Sequence, residues 1–330
     1  MDVNDIRPSD LVRRQQYYID QDVAWLLRKS DQFVEVSCPC CGETNNTNQF
    51  TKNRFSYVIC NCCMTTYVSP RPTAEILSMF YAESANYAFW ANEMFPLTEK
   101  NRVRIFQKRV EMVEKLKNNF KPQANSLLEI GPGYGTFCRL YRDKNTNHTI
   151  KAVEPSPNLA NVCRNSGIDV DETTIEDYAK NSQVKFDIAV CFEVIEHLFD
   201  PIDMLKSVGS ILSDKGLFIF SCPNGMGFDL QVLGEKSETY DHEHLNYFNP
   251  SSVHRLLNRA GFDLLNVETP GELDVSIVQR EISSGICNLD NDNFLRSLFS
   301  HKSEQLDGLF QEFLQKSKLS SNMFVAAVKR

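Results

Sequence analysis

The sequence predicts an α/β fold with a mostly parallel sheet, preceded by a small cysteine-rich unit. Six of the eleven cysteines in the 330-residue chain lie within residues 38–63. From residue 121 onward, short apolar runs alternate with segments of helical periodicity, a pattern typical of a parallel sheet covered by helices on both faces. We therefore divide the chain into a helical segment (1–37), the cysteine-rich unit (38–72), a helical connector or lid (73–120) and the α/β domain (121–330).

Composition and charge narrow the class of protein. The chain is 42% hydrophobic and 24% charged, with a net charge of −8. Nucleic-acid binders replace phosphate counterions with lysine and arginine, so this acidic balance argues against nucleic acid as a partner. No apolar run approaches the roughly 20 residues that cross a bilayer, and the N-terminus lacks a secretory pattern. We therefore expect a cytoplasmic protein without a membrane span.

The regions on either side of the cysteines have helical patterns. Apolar residues such as Leu11 and Leu26 lie among charges in the first region. After the proline-containing break at 69–72, Ile76 and Phe80 fall on one face of a predicted helix.

The cysteine-rich unit has the spacing of a zinc ribbon. Two CxxC pairs are separated by 18 residues: Cys38 with Cys41, and Cys60 with Cys63. Each pair can aim two thiolates at one centre, and two pairs complete a tetrahedral four-sulfur zinc site. We take these four cysteines as ligands, with Cys40 and Cys62 as spares; a shifted pairing that uses the spares stays open. Because protein sulfurs fill all four positions, the zinc is expected to be structural.

The α/β domain is predicted from six apolar runs with helical stretches between most of them. The runs are Ser126–Ile130, Thr149–Val153, Phe186–Phe192, Gly216–Ser221, Phe262–Val267 and Asn322–Val328. Predicted helices include Pro201–Leu212 and Pro250–Ala260, the latter with Asn249 as N-cap and Gly261 beyond its end. An insertion at about 271–321 precedes the last strand, and we expect its helical later half to form a lid or a dimer surface.

A glycine-rich turn follows the first of these strands. Gly131, Gly133 and Gly135 lie where glycine permits a tight turn and the close approach of a ligand. A dinucleotide fingerprint would need glycine at position 136, which is Thr136. Glu154 ends the next strand, where a carboxylate can accept hydrogen bonds from both ribose hydroxyls. The pattern favours a nucleoside cofactor other than a nicotinamide dinucleotide.

Three segments carry a family resemblance: LLEIGPGYGTF (127–137), AVEPSP (152–157) and FDIAVCFEVIEHLFDP (186–201). In order and spacing they resemble the motifs of class I S-adenosylmethionine-dependent methyltransferases. The resemblance covers about residues 120–330 and implies a Rossmann-like sheet with an antiparallel last strand. It also implies S-adenosyl-L-methionine as cofactor, bound by Glu129, Gly131, Gly133, Gly135, Glu154, Thr174, Cys191, Phe192 and Glu193.

Two histidine motifs are candidates for the acceptor side. His197 follows the run Phe186–Phe192 and is the first candidate for a general base; the alternative is a histidine that only packs at this turn. The segment YDHEHLNYF (240–248) lies in a loop that closes over the acceptor in the same fold.

This loop supplies the candidate catalytic residues Tyr240, Glu243 and His244. If it is extended, His242 and His244 project to one side and Glu243 to the other. The alternatives are a polar loop before the next helix and a metal site, for which the local ligands are too few.

Together with the catalytic motifs, the cysteine-rich unit resembles bacterial methyltransferases that act on nucleotide sugars or surface polysaccharides, and deoxysugar C-methyltransferases. The latter carry a tyrosine three residues before the last loop histidine, and an extra C-terminal domain. Here that position is Asp241, with Tyr240 one place earlier, and the chain stops at the last strand of the fold. The resemblance therefore implies O-methylation of a sugar more than C-methylation, with Tyr81 and Tyr87 covering the acceptor from the other side.

Other functions stay open beside this one. A ribosomal RNA methyltransferase is one alternative; the acidic balance and the lack of an Asn/Asp-Pro-Pro-Tyr motif after Phe186–Phe192 argue against it. Another small-molecule acceptor is a second. A cofactor-binding scaffold without activity is a third, and the glycine turn, Glu154 and His197 argue against it. A homodimer is an open alternative to a monomer.

Overall fold

A helical region opens the chain in the computed structural model, which describes residues 3–290, 292–301 and 303–330. Helices α1 (Val3–Ile6) and α2 (Ser9–Leu27) precede the cysteines. The parts of the predicted segments 1–37 and 271–321 that fall on residues 1, 2, 291 and 302 lie outside the described residues.

The cysteine-rich unit forms an antiparallel sheet of β1 (Asn46–Lys52), β2 (Phe55–Cys60) and β3 (Thr66–Val68). The sequence is β-prone at residues 55–59 and 65–68, and these two pieces correspond to β2 and β3. Strand β1 was not predicted because it is polar and mostly exposed, so it carries no apolar alternation. A fourth strand, β9 (Asn246–Tyr247), comes from the α/β domain and pairs with β3.

The connector is helical, as predicted. It consists of α3 (Ala74–Glu83), α4 (Ala85–Phe89), a π-helical turn (Trp90–Met94) and α5 (Phe95–Phe120). The side chains of Thr73 and Ser84 cap α3 and α4 by accepting hydrogen bonds from backbone amides. Through Val110 and Val113, α5 packs on one face of the larger sheet.

Within the described residues the larger sheet has seven strands, in the order β10-β11-β8-β7-β4-β5-β6. They are β4 (Ser126–Ile130), β5 (Thr149–Val153), β6 (Asp169–Asp171), β7 (Phe186–Phe192), β8 (Leu212–Pro223), β10 (Phe262–Glu268) and β11 (Asn322–Lys329). Strands β4 to β8 pair in parallel, whereas β11 is antiparallel to both β8 and β10. This arrangement confirms the predicted α/β class, the mostly parallel sheet and the antiparallel last strand. Strand β6 was missed because it has only three residues, two of them aspartates.

Helices cover both faces of this sheet. They are α6 (Thr136–Lys144), α7 (Pro157–Asn165), α8 (Ile175–Asn181), α9 (Pro201–Ile211), α10 (Phe228–Leu233) and α11 (Ser252–Arg259), followed in the insertion by α12 (Asp274–Ser283), α13 (Asn293–Ser300) and α14 (Glu304–Lys316). The predicted start of α11 at Pro250 was two residues too early. The Asn249 side chain accepts hydrogen bonds from the amides of Ser251 and Ser252, at 3.0 and 2.8 Å, so a capping turn precedes the helix.

The strands alternate between two buried cores. In β4, Leu127 faces the core that contains α5, and Leu128 faces the opposite core. That opposite core also contains Cys38 and Cys60, so the cysteine-rich unit packs directly on the α/β domain. Among the helices that the structure describes, none is long and apolar enough to cross a membrane.

Candidate active site

The carboxyl ends of β4, β5 and β7 meet at one edge of the sheet and carry the glycine turn. Gly131, Gly133 and Gly135 all adopt left-handed backbone angles, with φ of 66°, 55° and 68°. A Cβ atom on Gly135 would lie 2.3 Å from Cδ1 of Ile168, so this position excludes any side chain. The glycine turn lies where parallel strands end, which is the usual position of ligands in this type of sheet.

Glu154 closes the glycine turn from the end of β5. Its carboxylate accepts hydrogen bonds from the Gly133 amide (3.3 Å) and the Ser156 amide (3.0 Å). The side chain is buried, and burial raises the pKa of Glu154 to about 7. This carboxylate therefore lies against the glycine turn, at the end of β5.

Glu129 is a second buried carboxylate at this edge, in β4. Among the described residues, its Oε2 atom has no hydrogen-bond partner. Burial raises its pKa to about 7. A buried carboxylate oxygen without a donor is costly, and a cationic ligand in the glycine turn would compensate it. The two carboxylates and the turn fit S-adenosyl-L-methionine, which carries a ribose, an ammonium group and a sulfonium.

The other predicted cofactor residues use their side chains for packing or capping. Cys191 and Phe192 are buried in opposite cores, so any ligand contact there would come from their backbone. Thr174 caps α8 by accepting a hydrogen bond from the Asp177 amide, at 3.3 Å.

Glu193 follows β7 with a left-handed φ of 57°, uncommon for a residue with a side chain. Its carboxylate binds Arg109 (3.0 Å), Asn322 (3.1 Å) and the Ser221 hydroxyl. Arg109 also stacks on the Phe192 ring, with Cζ 4.9 Å from its centroid. Sequence reasoning missed Arg109 because it is one of several basic residues in a long helix.

The two predicted histidines are brought together. The ring centroids of His197 and His244 lie 4.6 Å apart. The Tyr81 hydroxyl is 3.2 Å from Nδ1 of His197, and the Tyr87 ring packs edge-on against Tyr81 at 6.3 Å. Tyr81 therefore contacts the histidine pair directly, and Tyr87 packs behind it.

Each histidine is oriented through its Nδ1 atom. His197 Nδ1 lies 3.2 Å from the Glu243 carbonyl oxygen, and His244 Nδ1 lies 3.0 Å from the Thr239 carbonyl oxygen. Carbonyl oxygens only accept hydrogen bonds, so these contacts favour protonated Nδ1 and leave Nε2 with a lone pair. Burial, and then the neighbouring His244, lower the pKa of His197 to about 3. His197 is therefore neutral at physiological pH.

The loop is not extended, so the condition for placing His242 and His244 on one side is not met. The loop bends because the Asp241 carboxylate accepts hydrogen bonds from the amides of Glu243 (2.9 Å) and His244 (2.8 Å). His242 therefore turns away from His244, and its Nε2 atom lies 3.6 Å from carboxylate oxygens of both Asp22 and Glu243. Burial opposes protonation of His242, but Asp22 and Glu243 outweigh it and raise the pKa.

Tyr240, a predicted catalytic residue, lies apart from the histidine pair. It is buried in an aromatic cluster, with ring centroids 4.9 Å from Phe50, 5.4 Å from Tyr57 and 4.6 Å from Tyr247. Its side chain joins the cysteine-rich unit to the loop, a role in packing that the sequence did not reveal.

Glu196 is a residue that sequence reasoning missed. It is 0% exposed, and within the described part of the chain neither carboxylate oxygen has a hydrogen-bond partner. Burial, and then the nearby Glu193 carboxylate, raise the pKa of Glu196 well above its ordinary value. One potential ligand atom each from Glu196, His197 and His244 lie within 4.8 Å of one another. The sequence shows Glu196 beside His197 but gives no sign of its burial.

The four predicted cysteine ligands also converge. The Sγ atoms are 3.5 Å apart in the pairs Cys38–Cys63 and Cys41–Cys60, and all four lie within 4.8 Å of one another. A tetrahedral zinc site with Zn–S bonds of about 2.3 Å separates its sulfurs by about 3.8 Å, so the four sulfurs fit zinc. Of the spares, Cys40 is buried, with Sγ 2.9 Å from the Ser252 carbonyl oxygen, and Cys62 is exposed.

The cysteine-rich unit holds the loop that carries His244. The Val68 amide donates to the Leu245 carbonyl (3.0 Å), and the buried Arg71 donates to the Asn246 side chain (3.1 Å). Asn246 in turn donates to the Leu198 carbonyl, at 2.8 Å, just after His197. One hydrogen-bonded path therefore connects the β3 edge to both histidine segments.

Comparisons with known proteins agree with the fold. A family described as a methyltransferase domain matches residues 98–267, which is 170 of the 330 residues. A ubiquinone biosynthesis O-methyltransferase of Saccharophagus degradans is 23% identical over 220 residues, covering 61% of this chain and 86% of that protein. One of Actinobacillus pleuropneumoniae is 30% identical over 106 residues, covering 30% of this chain and 45% of that protein.

A solved structure, the plantazolicin methyltransferase BpumL in complex with SAH, has a TM-score of 0.50 at 12% identity. The match covers 77% of this chain and 94% of that chain, and it shows the fold alone. The family match covers more than half of the sequence. The chain therefore belongs to the methyltransferase domain family and is an S-adenosyl-L-methionine-dependent methyltransferase.

Proposed function

We propose that this enzyme methylates a hydroxyl oxygen of a small sugar acceptor, such as a nucleotide sugar or a precursor of a surface polysaccharide. The observation that carries the proposal is the pair His197 and His244, 4.6 Å apart and beside the Tyr81 hydroxyl. His197 follows β7, one of the strands that end at the cofactor edge, and His244 lies in the loop before β9. Polar and aromatic side chains together suit an acceptor with several hydroxyls.

We assign cofactor binding to the glycine turn and its two carboxylates. When bound, S-adenosyl-L-methionine supplies an electrophilic methyl group. Glu154 would hold the ribose, and Glu129 would offset the positive charge through its unpartnered oxygen. The left-handed glycines allow the backbone to approach the ligand closely.

The histidine pair would handle the proton of the acceptor hydroxyl. The Nδ1 atoms of both rings face carbonyl oxygens, a contact that favours protonated Nδ1 and leaves Nε2 able to accept a proton. Asp241 Oδ2 lies 3.2 Å from His244 Nδ1 and would stabilise a charge that develops on that ring. Glu243 contributes its carbonyl to His197, and its carboxylate accepts from Asn86 at 2.6 Å, so we assign it to loop positioning.

We further propose that the unit at 38–72 is a zinc ribbon with one structural zinc, bound by Cys38, Cys41, Cys60 and Cys63. The sulfur separations support this assignment. The four-part division of the chain made from the sequence remains part of the proposal.

A second candidate acceptor comes from the relatives, which are named for O-methylation in ubiquinone biosynthesis. Their names support O-methylation and make a precursor of that process the alternative to a sugar.

The test is a screen of both acceptor classes with isotope-labelled cofactor, read by mass spectrometry. We expect a labelled methyl group on an oxygen of a sugar acceptor, and much less of it with Glu154→Ala at the same low cofactor concentration. Transfer to ubiquinone precursors alone would replace the sugar proposal, and transfer to carbon would overturn O-methylation.

A further inference from the structure

His197 faces two different hydrogen-bonding groups through one ring atom. Its Nδ1 lies 3.2 Å from the Glu243 carbonyl oxygen and 3.2 Å from the Tyr81 hydroxyl. The carbonyl only accepts a hydrogen bond, whereas a hydroxyl also donates one. If the carbonyl is the partner, Nδ1 carries the ring proton and Nε2 is free; if the hydroxyl donates, the ring proton lies on Nε2. The position of the Glu243 carbonyl therefore determines which nitrogen can take a proton from the acceptor.

Tyr81 competes for this ring atom as a donor. Burial raises the pKa of Tyr81 well above its ordinary value, so the hydroxyl keeps its proton at physiological pH. His197 is neutral there, since burial and then His244 lower its pKa to about 3. A neutral imidazole has one ring proton, so its two tautomers differ in which neighbour has a hydrogen-bond partner.

The Glu243 carbonyl is held in place through the side chain of the same residue. The Glu243 carboxylate accepts a hydrogen bond from Asn86 Nδ2 at 2.6 Å. Asn86 lies in α4, and its side-chain oxygen accepts from Gln15 Nε2 of α2 at 3.0 Å. Because that oxygen faces Gln15, the NH₂ group of Asn86 points to Glu243. Asn86 is buried, so its bond to Glu243 has little competition from water.

Asp22 of α2 in turn fixes the start of α4. Its buried carboxylate accepts hydrogen bonds from the backbone amides of Ala85 (2.8 Å) and Asn86 (3.0 Å). His242 Nε2 lies 3.6 Å from carboxylate oxygens of both Asp22 and Glu243, a distance that suits charge attraction but not a hydrogen bond. A hydrogen-bonded path therefore runs from Asp22 through Asn86 to the carboxylate of Glu243.

We propose that Asn86, held by Asp22, is a positioning residue that keeps the ring proton of His197 on Nδ1. The inference rests on the proposed function, which it deepens by naming the residues that prepare the base. Without the Asn86 hydrogen bond, the Glu243 carbonyl is released, the Tyr81 hydroxyl donates to Nδ1, and the ring proton moves to Nε2 by exchange with water. In that tautomer Nε2 no longer accepts a proton from the acceptor hydroxyl. Asn86 thus acts through Glu243 and not on the acceptor itself.

The test observes the tautomer directly in the full-length protein as purified. With ¹⁵N-labelled histidine, nuclear magnetic resonance distinguishes protonated from unprotonated ring nitrogens, and His197→Gln identifies the His197 signals among those of six histidines. At pH 7 and without acceptor, we expect a proton on Nδ1 of His197 in the wild type. Asn86→Asp replaces the NH₂ donor with an oxygen, and it should shift the ring mainly to the Nε2-protonated form.

Further variants control for charge and for folding. The double variant Asn86→Asp/Glu243→Gln reverses donor and acceptor without changing the total charge, so it should restore the proton on Nδ1. Asn266→Asp removes a bond of the same kind, from the Asn266 amide to Glu268 at 2.9 Å, in the edge strand β10, and it should leave the tautomer unchanged. Circular dichroism reports whether each variant is folded, and Asn86→Ala gives the same test if Asn86→Asp is not.

Kinetics connect the tautomer to the reaction. Turnover in Asn86→Asp should fall by about 10²-fold, the lower end of what a positioned base contributes, while cofactor affinity stays the same and the double variant recovers most of the turnover. A proton on Nε2 in the wild type, or a proton kept on Nδ1 in folded Asn86→Asp or Asn86→Ala, would overturn the inference. A shifted tautomer with normal turnover would overturn its role in catalysis, because His244 would then be the base. A shifted tautomer in a protein that methylates no oxygen acceptor would reject the proposed function and keep the positioning of His197.

Discussion

Two groups of potential metal ligands in this molecule differ in how complete they are. The ribbon brings four cysteine sulfurs together, with pairs 3.5 Å apart, in a core shared with the sheet. The group Glu196, His197 and His244 has three members, and its carboxylate has no partner among the described residues. A closed set of four ligands stabilises a fold, whereas an open set leaves room for a substrate. The comparison separates a structural role from a chemical one.

The largest expected effect comes from replacing one of the four cysteine ligands. Cys60→Ser should abolish zinc binding and leave the protein largely insoluble, because structural zinc binding is folding free energy, about 10–16 kcal/mol in isolated zinc fingers. Zinc content by elemental analysis and far-ultraviolet circular dichroism measure both effects. The matched control is Cys62→Ser, since this spare cysteine is exposed. Zinc loss in Cys62→Ser but not in Cys60→Ser would show that the shifted pairing is correct.

The next largest effect comes from replacing one histidine of the pair His197 and His244. His244→Ala should lower turnover by about 10²–10⁴-fold, the usual contribution of a positioned proton-handling group, while cofactor affinity stays nearly unchanged. Steady-state kinetics and calorimetry separate the two quantities. The control is His254→Ala on α11. Near-normal turnover in His244→Ala would show that the histidine pair has a structural role, as we propose for the four cysteines.

The proposed cofactor site at the glycine turn is a third case for this comparison, because a reversibly bound ligand would complete it. Glu154→Ala removes the carboxylate that would accept from two ribose hydroxyls, a loss of about 2–3 kcal/mol. We expect cofactor binding to weaken by roughly 30- to 150-fold, measured by calorimetry. Glu172→Ala, an exposed neighbour, serves as control. Equal affinity in wild type and Glu154→Ala would mean that the ribose is bound elsewhere.

The smallest expected effect is a pH dependence of stability from Glu129. Burial raises its pKa to about 7 in the folded protein, above about 4.3 for an unfolded chain. The folded state therefore binds the proton more tightly, and Glu129 lowers stability progressively as pH rises from about 4.3 through 7. Without cofactor, Glu129→Gln should be more stable than wild type by about 1–3 kcal/mol at pH 8 and nearly equal at pH 4. Urea unfolding at the two pH values checks this; an equal difference at both would exclude titration of Glu129 as the cause.

Apolar runs predicted the strands of the larger sheet, because a strand that is buried on both faces consists of nearly continuous apolar residues. The glycine spacing predicted the turn after the first of them. All six predicted strands are present, from β4 to β11. Strands β1 and β6 were missed because they are polar or short, and β9 because it has only two residues. Such strands form by pairing with the edge of a neighbouring strand, and the local sequence does not show which strand that is.

The residues of the candidate site were predicted less completely than the strands of the sheet. The cysteine ligands follow from spacing alone, since both pairs lie within residues 38–63. The directions of His242 and His244 depend on a bend made by Asp241, and the burial of Glu196 depends on packing against distant elements. The packing of Tyr240 could not be predicted because its neighbours, Phe50 and Tyr57, are almost 200 residues away in sequence.

The pairing of β3 with β9 has a consequence for how acceptor preference can change. Thr66 pairs with Tyr247, and Tyr67 with Asn246, so the edge of the ribbon forms the backbone support of the acceptor loop. A loop transplanted from another methyltransferase would lack the strand that pairs with it in its own protein, the counterpart of β3. We therefore expect an exchange of this loop to need residues 38–72 together with residues 240–249. A graft of the loop alone would replace β9, one of the four strands, and leave its partner β3 unchanged.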